Sequence, residues 1–340
     1  MEVSSVSLSL LDFLEKMAQS PPLALTVGLT LAVMLVNGCT DAPNAIAGVV
    51  VTGALSFRRA VLLAAVCNFL GVFCVTAVNA SVAETVYSIA SFRSSGALPA
   101  LCAAMTAIVL WAAAAWVFGI PTSESHALVA GLTGAAVALE GGFSCVRWEA
   151  WAQVGAGLVL STAAGLWAGR LVKKLLRPVR AQEWCFQIAQ IPGAALTAFL
   201  HGAQDGQKFI GVFLLGAALA QGRQDESTFV IPLWLSVVCA GFMALGTLLG
   251  GERIIQKVGR EMVRLTPRQG FEADLAGAAC LLAATVLGWP ASTTHTRTAA
   301  LLGTGSCPDR RAVRDIVLAW GLTFPGCFLI GYALVKLIPG

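Results

Sequence analysis

Long apolar stretches broken by short polar ones set the pattern of this chain. Continuous apolar runs cover Ala60–Val78, Ala97–Phe118, Val154–Ala168, Phe229–Gly250 and Ile316–Leu337. Most approach the roughly 20 residues that a helix needs to cross a bilayer. They show no two-residue alternation, which argues against a transmembrane barrel. A helix satisfies its own backbone hydrogen bonds in lipid, so the pattern predicts an all-α integral membrane protein. Composition agrees: 57% of the 340 residues are hydrophobic and 12% charged, where soluble domains carry about 25% charge. The segment Ser7–Met17 predicts a short surface helix. The first 20 residues hold Glu2, Asp12 and Glu15 and lack the basic start of a cleavable signal.

The polar interruptions come in matched pairs. Gly38-Cys39-Thr40-Asp41-Ala42-Pro43-Asn44-Ala45 resembles Gly202-Ala203-Gln204-Asp205-Gly206-Gln207-Lys208. Each places a carboxylate three residues after a glycine and an amide two or three residues beyond it. Further on, Gly119-Ile120-Pro121-Thr122-Ser123-Glu124-Ser125-His126 matches Gly288-Trp289-Pro290-Ala291-Ser292-Thr293-Thr294-His295. Asp41 and His126 are 85 residues apart, and Asp205 and His295 are 90. The chain therefore reads as an internal duplication.

Charge then orients the copies. Lys173, Lys174, Arg177 and Arg180 form one basic loop, and Arg253, Lys257, Arg260, Arg264 and Arg268 a second. The positive-inside rule places both in the cytoplasm, with Gln221–Thr228 outside. Arg58 and Arg59 place the end of the Asp41 segment inside, so that segment runs inward and the Asp205 segment outward. This predicts two inverted-topology repeats with broken helices and two re-entrant Pro-x-Ser hairpins, about 8–12 helical pieces in all. The expected divisions are an N-terminal surface segment 1–20, repeat 1 over 21–172, a cytoplasmic linker 173–183 and repeat 2 over 184–340. The net charge of +4 is met by cytoplasmic loops and implies no nucleic-acid partner. The ten cysteines have neither CxxC nor zinc spacing and read as small apolar core residues.

The matched motifs carry the candidate chemistry. An aspartate at the centre of a membrane helix costs roughly 2.5–3.5 kcal/mol on insertion scales. Two at equivalent positions point to a cation or proton site, against the alternative of a helix cap or a pair with Lys208. Carboxylate, amide and freed carbonyl oxygens suit Na+, a hard ion. Breaks at Gly38, Pro43, Gly202 and Gly206 would free those carbonyls. At each Pro-x-Ser turn, hydroxyls and the first N–H groups of the following helix can hold a tetrahedral oxyanion, where the plainer reading is a helix cap. His126 and His295 could donate to the anion, relay a proton or lock the turn.

With these residues in view, the chain resembles the PiT family of inorganic phosphate transporters. That family carries Gly-x-Asn-Asp-x-x-Asn-Ala, His-Gly-Ala-Asn-Asp-Gly-Gln-Lys and Pro-x-Ser-Thr-Thr-His in this order. The resemblance implies a secondary transporter for inorganic phosphate, coupled to Na+ or H+, usually homodimeric, in the plasma membrane. It implies cation binding by Asp41, Asp205, Asn44 and Gln207. Thr40 and Gln204 join them, since each replaces the family's asparagine and keeps an oxygen. It implies anion binding by Thr122, Ser123, Ser125, Ser292, Thr293 and Thr294, with Asn44 and Gln207 helping to shape the anion site. Glu124 replaces a hydroxyl, and Arg297 a usually apolar residue. These two are expected to pair across the pseudo-two-fold axis, the alternative being that each faces a wet cavity. The rival readings are a carrier of another tetrahedral oxyanion such as sulfate, a channel, and a membrane enzyme acting on phosphorylated lipid. The last lacks a nucleophile near the surface, so no enzyme and no cofactor beyond the coupling ion is expected.

Overall fold

The computed structural model describes residues 9–89, 91–92, 96–118, 122–222, 231–252, 255, 265–305 and 310–337. Among these, α-helix dominates. The helices are α1 (Leu10–Gln19), α2 (Pro21–Thr40), α3 (Ala42–Val51), α4 (Phe57–Val78), α5 (Ser81–Tyr87) and α6 (Ala97–Phe118). They continue as α7 (Glu124–Glu140), α8 (Trp148–Leu176), α9 (Glu183–Ala220) and α10 (Leu233–Leu249). The last three are α11 (Pro267–Val286), α12 (Thr293–Gly303) and α13 (Arg310–Leu337). The α2–α3 unit, α4, α6, α8 and Val313–Leu337 are each long and apolar enough to span a membrane. Large apolar side chains such as Leu62, Leu110, Val159, Trp167, Leu248 and Leu329 lie exposed on the outside, while polar groups gather within. That is the inverse of a soluble protein and the arrangement of one solvated by lipid. The chain is a multi-pass integral membrane protein.

Local chemistry explains where the helices start and stop. Ser20 caps α2 through the Leu23 N–H, with Pro21 in the first turn where no N–H is needed. Thr266 and Gln269 form a reciprocal capping box on α11. Gly141 ends α7 at φ 77°, a left-handed conformation open to glycine. Pro43 has no N–H to offer the Cys39 carbonyl one turn earlier. The helix breaks there, leaving Asp41 at the junction of α2 and α3.

Two expectations need revision. No break occurs at Gly202 or Gly206: α9 runs unbroken over 38 residues through both, with Pro192 inside it. These glycines serve packing instead, since a Cβ at Gly202 would strike the Asn68 carbonyl and one at Gly206 the Val72 side chain. The segment Ser7–Met17 is helical from Leu10, but it is anchored rather than lying free. Phe13 is buried, its ring 5.1 Å from Phe213 and 5.3 Å from Trp234. Residues 173–176 of the expected linker are helical, as the end of α8. Residues 223–228 of the loop Gln221–Thr228 and most of Arg253–Arg268 lie outside the described residues, as do Gly119, Ile120 and Pro121.

Helix packing is reciprocal between the halves. α4 packs on α9, and α10 packs on α2. α7 packs on α13, and α12 packs on α8. Within the halves, α2 with α6 and α6 with α7 are matched by α9 with α11 and α11 with α12. Glycines permit the closest crossings, as is usual between membrane helices. A Cβ at Gly71 would strike the Phe199 carbonyl, and one at Gly246 the Leu35 carbonyl. Where α7 meets α13 and α8 meets α12, Gly134 meets the Phe328 carbonyl and Gly169 the Ala300 carbonyl in the same way.

Candidate functional site

Three elements converge on one buried centre: the α2–α3 break, the middle of α9, and the facing N-termini of α7 and α12. The two turns before α7 and α12 touch through Ser123 Oγ and Ser292 Oγ, 3.0 Å apart. The second turn reaches both aspartates. Thr294 Oγ1 donates to Asp41 Oδ1 at 2.5 Å, and Thr293 Oγ1 donates to Asp205 Oδ2 at 3.2 Å. The acidic and hydroxyl-bearing motifs of the sequence therefore form a single site.

Glu124 opens α7 and is fully buried. Its carboxylate accepts from Thr40 Oγ1 and from Asn37 Nδ2. The same Asn37 nitrogen lies 3.3 Å from Asp41 Oδ2 and 3.3 Å from Asp205 Oδ2. One amide nitrogen thus faces three carboxylates. It has two hydrogens, so at least one carboxylate oxygen lacks a donor from it at any moment. The cation nearest to this cluster is Lys208. Its three hydrogens are committed to Asp205 Oδ1, Ser125 Oγ and the Ala291 carbonyl, each at 2.6 Å. Three acidic groups thus share one fixed ammonium.

His201 joins the cluster one helical turn before Asp205. Asn68 donates to Thr247 Oγ1 at 3.0 Å, and the Thr247 hydroxyl is itself given to the Met243 carbonyl. Asn68 therefore turns its carbonyl oxygen to His201 Nδ1 at 2.8 Å, so that ring nitrogen carries the hydrogen. The other nitrogen, Nε2, faces Asp205 Oδ2 at 3.3 Å. A cation between the two would take both atoms as ligands. Asp41, His201 and Asp205 each offer a ligand atom within 4.8 Å of the others. The carbonyl oxygens of Asn37 and Asn44 are buried with no partner among the described residues. These oxygens fit a hard cation.

Other predicted residues sit at or beyond the edge of this cluster. Asn44 Nδ2 reaches Asp41 Oδ1 at 3.4 Å. The buried Thr122 hydroxyl has no protein partner. Gln204 donates to Thr285 Oγ1 and the Trp289 carbonyl, and Gln207 to the Asn79 carbonyl, which ties both to scaffold; their Oε1 atoms are unpartnered. His295 Nδ1 bonds Ser292 Oγ at 2.6 Å, and its ring packs on Trp320 and edge-on to His126. His126 also stacks on Phe324. The two histidines brace the turns from behind.

The expected Glu124–Arg297 pair is absent. Glu124 is held by Asn37 and Thr40. Arg297 Nη2 instead binds Asp274 Oδ1 at 2.5 Å, because its position one turn into α12 points it toward α11. Sequence reasoning passed over Asn37, His201 and Asp274. The first two carried a usable signal: each lies four residues before its aspartate, hence on the same helix face.

A multi-pass helical bundle with charged groups and hydroxyls gathered around broken and facing helix ends is the architecture of a solute carrier. A sequence model of the phosphate transporter family matches residues 37–184 and 172–331, and the chain belongs to that family. It is 36% identical over 305 residues to a probable low-affinity inorganic phosphate transporter of Rhizobium meliloti, covering 86% of this chain and 90% of that one. A protein of the same description from Mycobacterium tuberculosis (strain H37Rv) is 35% identical over 336 residues, covering 94% and 78%. One from Bacillus subtilis is 32% identical over 306 residues, covering 87% and 90%. Among solved structures, one described as the sodium-dependent phosphate transporter superposes with a TM-score of 0.86. It covers 94% of this chain and all of that one at 21% identity, which establishes a shared fold.

Proposed function

We propose that this chain is a secondary active transporter that carries inorganic phosphate across the plasma membrane, driven by Na+ or H+. The observation that carries this reading is the sharing of donors at the centre. The hydroxyls suited to hold an oxyanion, Thr293 and Thr294, donate to Asp205 and Asp41. Neither hydroxyl can serve a carboxylate and a phosphate oxygen with its one hydrogen. A cation settling on Asp41 and Asp205 takes over the carboxylate oxygens and releases both hydrogens to the anion. It also removes the like-charge repulsion that phosphate would meet. Coupling follows, since an anion without its cation finds the Thr293 and Thr294 hydrogens already taken.

Asp41, Asp205 and the Asn37 and Asn44 carbonyl oxygens serve as cation ligands, with Thr40, Gln204 and Gln207 supporting them. Ser123, Ser125, Ser292, Thr293, Thr294 and Thr122 receive the anion. Glu124 is placed to accept a proton, which would leave Asn37 its two remaining acceptors. The sodium dependence in the name of the related structure supports Na+ at the aspartates. Reciprocal packing of the halves, and the meeting of both turns at one point, support two inverted repeats that exchange inward and outward arrangements around the site. Phosphate is favoured over sulfate because it can donate a hydrogen bond to Glu124 or Asp41. A homodimer is carried over from the family.

The deciding experiment is uptake of radiolabelled phosphate into proteoliposomes, with Na+ and pH gradients imposed separately. Accumulation against a gradient is expected, with excess sulfate competing poorly. Asp41→Asn and Asp205→Asn should each abolish cation-dependent uptake. Wild-type uptake in both variants, with Na+ and pH dependence unchanged, would sink the scheme.

A further inference from the structure

A second buried charge pair lies beside the first site and is untouched by the scheme above. Arg297 and Asp274 line a narrow cleft between α3, α11 and α12, and its lining includes Asn44 as well as Leu265 and Gly270. Asn44 belongs to the Asp41 site. Leu265 and Gly270 flank Arg268, whose guanidinium donates to the carbonyls of Leu176 and Val179, in the basic stretch of Lys173, Lys174, Arg177 and Arg180. The cleft therefore leads from the central site to the basic end of the molecule, the cytoplasmic end by the positive-inside rule. Its cavity volume of about 10 Å³ is room for about one water, so it is closed as seen.

The pair that closes it is incomplete. Arg297 Nη2 binds Asp274 Oδ1, and Nη1 donates to the Ala273 carbonyl at 3.0 Å. Arg297 Nε and Asp274 Oδ2 are buried and have no hydrogen-bond partner among the described residues, although the residues are only 8% and 1% exposed. A buried bridge kept for stability alone needs its remaining donors and acceptors satisfied to offset desolvation. Glycines leave space around this one. A Cβ at Gly277 would lie 2.9 Å from Arg297 Cδ, and one at Gly193 would lie 3.0 Å from Asp274 Cβ. Either methyl would crowd a side chain that needs to move.

We propose that Arg297 and Asp274 form an inner station for the transported oxyanion, where phosphate leaving the central site displaces Asp274 from the Arg297 guanidinium before reaching the cytoplasm. The inference rests on the phosphate-carrier reading. The unused Nε–H and the Nη2–H released by Asp274 make the fork that a guanidinium presents to two oxygens of a phosphate. Asp274 stays close by, and its negative charge shortens the stay. An arginine alone would hold the anion; an arginine with a competing carboxylate passes it on. With no anion present the pair reforms and closes the cleft.

The test uses the full chain in oriented proteoliposomes, reading the half-saturation for phosphate separately on each face by exchange and counterflow. Two variants are compared. Arg297→Met with Asp274→Leu removes both charges together and leaves no lone buried ion. It should raise the cytoplasmic half-saturation about tenfold or more, the effect of losing one charge-assisted hydrogen bond, with the external value within about twofold. Asp274→Asn leaves the arginine unopposed, so the cytoplasmic half-saturation should fall and net release should slow. The proposal is overturned if both variants match wild type on the cytoplasmic face, or if both faces change equally, which is the mark of a merely structural pair. Wild-type vesicles that move no phosphate would overturn the carrier reading, and the station with it.

Discussion

At the scale of single residues, the centre is organised by Asn37 more than by either aspartate. Its amide nitrogen lies within hydrogen-bond reach of Asp41, Glu124 and Asp205. Without it, no single donor faces all three acidic groups. Asn37→Ala should cut initial phosphate uptake at saturating cation by about tenfold to a hundredfold, the loss of one hydrogen bond to a charged group at about 1.5–3 kcal/mol. Extraction and monodispersity should stay normal. Wild-type uptake by this variant would remove Asn37 from the site. The aspartates and hydroxyls were legible in the sequence because they recur at matched positions where charge is costly. Asn37 and His201 recur as well, each four residues before its aspartate, but asparagine and histidine differ too much in type for the match to stand out. Asp274 offered no local signal. Its partner Arg297 lies 23 residues away on another helix, and Glu124, with equal and opposite charge, was the nearer match in motif.

At the scale of elements, proline decides which helix opens. Pro43 stands two residues after Asp41, and the helix breaks there. The matching place after Asp205 is Gln207, which has an N–H to give, and α9 stays whole. Glycine was the misleading sign: between membrane helices it permits close crossing more often than it ends a helix. Pro43→Ala should restore a donor toward the Cys39 carbonyl and mend the break. Thermal stability in detergent should rise by about 0.5–1.5 kcal/mol, the net worth of one hydrogen bond, while uptake falls as Asp41 loses its place at a helix junction. Higher activity with higher stability would contradict this role for the break. Gly202→Ala should do the opposite. Its methyl would strike the Asn68 carbonyl, part α4 from α9, and disturb the Asn68–His201 contact. A clear drop in melting temperature is expected, and none at Gly241, where a Cβ would meet nothing within 4 Å.

At the scale of the whole molecule, the apolar runs made the helical membrane class plain, and the paired motifs pointed to a duplication. The way the halves interlock was not legible, because packing between helices depends on which faces meet, and runs that are apolar all round do not mark their faces. The structure supplies that order: the hairpin helix of each half leans on the last helix of the other, α7 on α13 and α12 on α8. A carrier cut within the linker at 177–182 and expressed as two fragments should therefore regain uptake only when both are made together. For the same reason a truncated product of either half would be left with a glycine-lined flank bare to lipid and no brace for its serine turn. It would be lost to proteolysis rather than persist as a smaller, weaker transporter.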